Sequence, residues 1–142
     1  MGNRTTLVAG IGTMMAAFIA ANPTLLRRHF SARPTTVLTD WPCSYLDLRP
    51  TAIHWDNGLR ETQFTPSIVF VDAETDPTET TNRLDALVDA FTDHLDTYAH
   101  IVAGTSWSDG QWSDESVQIT QATYAAGVRW TFGPISFLNG RN

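Results

Sequence analysis

The chain has 142 residues, 42% apolar and 17% charged, with 9 cationic against 15 acidic side chains and a net charge of −6. That composition excludes wholesale disorder and is long enough for one domain with a real core. It also argues against gripping nucleic acid from outside, because phosphate contacts need cations, and a lone cysteine, Cys43, excludes an internal disulfide and any Cys-based zinc site.

Near the N-terminus Arg4 precedes an apolar run, LVAGIGTMMAAFIAA. It loosely resembles a secretory signal, but the charged region is thin and Ile19 sits where a small residue is wanted. The run reads as too short and too interrupted by Gly and Thr to span a bilayer. Leu7, Val8, Ile11, Met14, Met15, Phe18 and Ile19 recur at helical spacing and predict an amphipathic helix over about 5–21. Asn22-Pro23 can end it, or start a short second turn through Leu25, Leu26 and Phe30, and Arg27, Arg28 and Arg33 cluster here. All the cations are arginines; there is no lysine.

Residues 34–66 are punctuated by Pro34, Pro42, Pro50 and Pro66, which suits short extended pieces such as TTVLT and TAIHW. Asn57-Gly58 is a hairpin signal. The clearest strand is SIVFVD, about 67–72, a continuous apolar run of the kind buried on both faces. The best-specified helix, about 77–98, comes next. Asp76 can cap it, Pro77 suits its first position and Glu79 completes a capping box. Leu84, Leu87, Val88, Phe91, Leu95 and Tyr98 share one face.

A loop is predicted over 104–115, then strands over about 116–132, from Val117 and Ile119 alternating with polar neighbours and from VRWTF. ISFL closes the chain as a short apolar tail. The order predicts a single α+β domain over 1–142, one mostly antiparallel sheet packed against two helices.

Four aspartates, Asp85, Asp89, Asp93 and Asp96, share one face of the second helix. A solvated face is the plain reading. Divalent-cation binding is a second, although it prefers a loop with converging oxygens. A wall that repels phosphate is a third. His29, His54, His94 and His100 show no metal-ligand spacing; His94 and His100, six apart, point to different sides of a helix. There is no G-x-S-x-G elbow, no phosphate loop and no Walker lysine. A metal-independent hydrolase would have to use Cys43 or a serine with His54 and Asp56.

The stretch WSDGQWSDES, 107–116, repeats Trp-Ser-Asp. It lacks the order of a calcium loop. As a hairpin, Ser108-Asp109-Gly110 would be the tip and Trp107 and Trp112 a cross-strand aromatic pair, covered by the fold or by a neighbouring subunit. As an open platform, the same two rings would serve a small carbohydrate- or peptide-binding module.

The order of these segments, with TPSIVFVDAE, LDTYAHIV and TYAAGVRWTF as their marks, resembles the tail terminator proteins of long-tailed bacteriophages, also called tail completion or head-to-tail joining proteins. Other neck proteins, head-completion or stopper proteins, are near look-alikes. The resemblance implies a virion protein made in the host cytoplasm, with neither catalysis nor a cofactor, metal or membrane. It implies a hexameric ring that caps the finished tail tube protein, meets the head connector or stopper protein and lets DNA pass through its centre. In that picture the acidic stripe is a lumen wall, and Trp107, Trp112, Arg27, Arg28 and Arg33 make subunit or partner contacts.

Overall fold

A computed structural model describes residues 2–34, 41–48, 50–72, 76–118 and 124–140. In chain order the elements are α1 (Asn3–Ala21), β1 (Arg28–Phe30), β2 (Cys43–Asp47), β3 (Pro50–Asp56), β4 (Leu59–Phe64), β5 (Ser67–Asp72), α2 (Pro77–Leu95), β6 (Gly110–Gln118), β7 (Tyr124–Phe132) and β8 (Ile135–Gly140). The fold is a small α+β domain with two helices. Two sheets form rather than one: five strands in the order β1-β2-β5-β7-β6, and three in the order β3-β4-β8. All pairings are antiparallel except β1 with β2.

β5 is the central strand of the large sheet, and all six of its residues are buried. Its side chains alternate between two clusters, as strand geometry requires. Ile68 and Phe70 point to the helices, joined by Leu46, Val128, Trp130 and Phe132. Val69 and Val71 point the other way, with Cys43, Tyr45, Val117 and Ala125.

The two helices close the first cluster. α1 contributes Leu7, Ile11, Met14, Met15 and Phe18. By length and apolarity α1 reaches what a membrane span requires, contrary to the shortness read from the sequence, yet those five side chains lie in the protein's own core. Phe18 packs edge-on to Phe91 of α2 at 5.2 Å. The ring N–H of His94 donates to the Met14 carbonyl at 3.1 Å. Gly10 permits the close approach of the segment after α2, since a Cβ there would stand 2.8 Å from the Ile101 carbonyl oxygen.

α2 begins on the Asp76 cap, whose carboxylate accepts from the Thr78 and Glu79 amides. The helix ends at Leu95 with Asp96 as C-cap, one turn before the Tyr98 expected from periodicity. The expected loop over 104–115 is shorter than its sequence suggests, because β6 already begins at Gly110. The ISFL tail is a true strand: β8 pairs residue by residue with β4, Ile135 with Phe64 through Gly140 with Leu59. β3 and β4 are joined by the Asn57-Gly58 turn, both residues at positive φ (43° and 82°) as a two-residue hairpin turn demands. TTVLT, and the Ile119–Thr120 part of the closing alternation, fall outside the described residues.

Candidate functional site

The structure separates the residues a hydrolase would need. Cys43 is fully buried on β2, on the sheet face turned away from the helices. His54 and Asp56 are exposed on β3, in the other sheet. The closest approach to a dyad is elsewhere: His29 Nδ1 lies 2.7 Å from Ser44 Oγ. Ser44 has no exposed surface, so no substrate reaches that hydroxyl. Burial lowers the His29 pKa to about 4, so the ring is neutral near pH 7 and joins neighbouring strands β1 and β2. His100 Nδ1 donates to the Thr105 carbonyl and so closes the turn after α2. Among the described residues, no group of three or more His, Cys, Asp or Glu is placed to hold a metal ion.

Asp85, Asp89, Asp93 and Asp96 are all exposed, on the side of α2 opposite its buried Leu84, Leu87, Phe91 and Leu95. The helix's one arginine, Arg83, turns inward to the buried Asp72, 3.1 Å away, and leaves the stripe acidic. An uninterrupted row of carboxylates therefore looks outward.

The Trp-Ser-Asp repeat is not a hairpin tip. Trp107 lies in the loop before β6 and Trp112 within β6, so the cross-strand pair expected between them does not form. Trp112 instead stands opposite Trp130 of β7, with ring centroids 5.3 Å apart, and its Nε1–H donates to Thr92 of α2. Trp107 packs edge-on against Trp130 and Phe132 at 6.3 and 5.2 Å. Both rings are half-buried and close the edge of the core. Both rings serve the fold, each through its own contact with Trp130.

The arginines divide. Arg27 and Arg28 are exposed, Arg28 lying over the Phe30 ring at 4.7 Å. Arg33 donates to the Gln118 carbonyl and sits 5.9 Å from the Tyr45 ring, so it crosses the face of the large sheet rather than joining the other two. On that face Arg129 is held between Asp47 (2.9 Å) and Glu115, and its own pKa rises because those hydrogen bonds outweigh burial.

The surface that sequence reasoning missed is apolar. Ile53, Trp55, Leu59 and Leu138 are 47, 55, 49 and 67% exposed, and all four lie on the three-stranded sheet. Ile53 and Trp55 continue the face that buries Thr62, Phe64, Ile135 and Phe137, but beyond the reach of the core. Leu59 and Leu138 lie on the reverse face. Among the described residues, both edges of this sheet, β3 and β8, pair on one side only. The alternation of Ile53 and Trp55 beside Asn57-Gly58 was visible in the sequence; that the core stops short of them was not.

Compared with known proteins, the chain matches no family model and no curated sequence.

Proposed function

We propose that the chain is a structural protein of a phage neck, forming a ring at the tail–head junction that ends the tail tube and joins it to the head connector, with DNA passing through the centre. One observation carries this reading: among the described residues the exposed large apolar side chains all belong to one small sheet, a pair on each face, and its two edge strands pair on one side only. Open strand edges are templates for pairing with another chain, and Ile53 and Trp55 place exposed apolar surface along one such edge. The separation of Cys43 from His54 and Asp56, and the commitment of both repeat tryptophans to the core, leave assembly as the use of this molecule that its surface supports best.

The acidic face of α2 fits the same reading. A ring that turned Asp85, Asp89, Asp93 and Asp96 to its opening would present DNA with like charge, so the duplex would slide without sticking. Arg27 and Arg28 are exposed, where a partner ring can meet them, whereas the apolar subunit contact passes from the Trp loop to the three-stranded sheet. Native mass spectrometry and electron microscopy test the proposal. The expected result is a closed homo-oligomer with a central opening, which binds one end of isolated tail tubes. A chain that stays monomeric at all concentrations and ignores tube ends would overturn it.

A further inference from the structure

β3 and β8 are the two edges of a three-stranded antiparallel sheet, so they run in the same direction. Their first residues are level, since Pro50 and Ile135 are both registered to Phe64 of β4. Where the strands run along the ring axis, a second copy related by rotation about that axis keeps their direction. Its β3 can therefore lie parallel to β8 of the first and continue the sheet.

We infer that the subunit contact is this junction: β3 of one copy laid along β8 of the next, parallel, with Ala52 beside Ser136, Ile53 beside Phe137 and Trp55 beside Asn139. The inference rests on the ring reading above and names its interface.

Two observations select a second copy as the occupant. The first is charge. At the starting end of β3, exposed Arg4 reaches the Leu48 carbonyl. At the starting end of β8, exposed Asp109 is tied through its own carbonyl to the Gly133 amide. Parallel pairing with level ends brings the arginine of one copy to the aspartate of the other. The second is register. In both strands the odd-numbered side chains share the core-side face, so the stated alignment keeps like faces together, while a slip by one would invert every side chain. Ile53, half exposed in a single subunit, then extends the row Thr62–Phe137 into the next.

Engineered cysteines test the junction. Ala52 and Ser136 flank Gln63 on the same face, one strand to either side. Two strand spacings, roughly 9–10 Å, separate them within one chain, beyond the reach of a disulfide. Across the proposed junction they are about 5 Å apart, within that reach. Cys43 is fully buried and stays out of the chemistry.

The double variant Ala52→Cys/Ser136→Cys, oxidised, should give a ladder of covalent multimers that a reductant collapses. Each single variant should give none, and adding the exposed-site change Ile53→Lys should abolish the ladder with Tm unchanged. Multimers by native mass without a ladder would overturn the junction and spare the ring reading. Covalent dimers from Ala52→Cys alone would show β3 meeting β3, which also overturns it. A chain monomeric throughout, with no ladder, sinks junction and ring together.

Discussion

The two sheets handle large apolar side chains in opposite ways. In the five-stranded sheet, Ile68, Val69, Phe70 and Val71 have no exposed surface, because helices cover one face and the Tyr45–Val117 cluster occupies the other. In the three-stranded sheet the inner ends are buried, through Phe64, Ile135 and Phe137, and the outer ends carry Ile53, Trp55, Leu59 and Leu138 into solvent. Covering one such side chain is worth roughly 1.5–3 kcal/mol. The large sheet has already gained that energy by folding; the small one still holds it for an encounter. Substitutions in the first region should therefore act on stability, and those in the second on assembly.

The largest effect belongs where the aromatic rings meet. Phe91 touches Phe18, Phe70 and Trp112, with centroids 5.2, 5.0 and 5.9 Å away. Phe91→Ala should cost about 3–5 kcal/mol, read by denaturant unfolding, since helix and sheet cannot both collapse into the void.

Next comes acid. His29 has its pKa lowered to about 4 by burial, against 6.5 for the free side chain. The unfolded chain takes up this proton first, so stability is complete above about pH 6.5, falls as pH drops towards 4, and levels off below that. The whole loss is about 3 kcal/mol. Unfolding free energies measured across that window should slope for the wild type and flatten for His29→Gln, which can still bond to Ser44.

Gly10→Ala comes third. Its methyl would meet the Ile101 carbonyl oxygen at 2.8 Å and a Val102 methyl at 2.9 Å, so α1 must shift, at a cost of about 1–3 kcal/mol by calorimetry. An unchanged Tm would mean that the segment after α2 is not seated on α1.

How far the sequence could be read follows the same division. The five-stranded region was legible because its signals are local. SIVFVD is a run that only a central strand can bury, and Asp76, Pro77 and Glu79 mark a helix start within four residues. The small sheet was half legible. Asn57-Gly58 announced its hairpin, but β8 joins β4 across a gap of dozens of residues, and ISFL alone holds too little pattern to declare a partner. The Trp-Ser-Asp repeat misled for a related reason. Two similar triplets suggest two similar environments, yet Trp107 is held by a loop and Trp112 by a strand, each drawn to Trp130. As for the contact surface, alternation shows which residues share a face; only the position of the core shows which of them stay wet.

Gly58 probes the hairpin itself. With φ at 82° it occupies a region that costs an L-residue about 1–2 kcal/mol. Nothing stands within 4 Å of a Cβ there, so Gly58→Ala carries the backbone cost without a clash. Tm should fall by a few degrees, and hydrogen exchange should quicken in β3 and β4 before it does in β5.

The smallest effect on folding is the most informative about use. Trp55 is 55% exposed on an edge strand. Surface changes away from special features stay within about 0.5 kcal/mol, and threonine keeps strand propensity, so Trp55→Thr should leave the unfolding curve of the single subunit in place. If the small sheet exists to meet another copy, the same change should shift oligomerisation to higher protein concentration by tenfold or more, the equivalent of losing about 1.4 kcal/mol per contact. A variant that unfolds earlier would place Trp55 in the stabilising region with Phe91. One that folds and assembles like the parent would remove the main reason for treating the two sheets as different in kind.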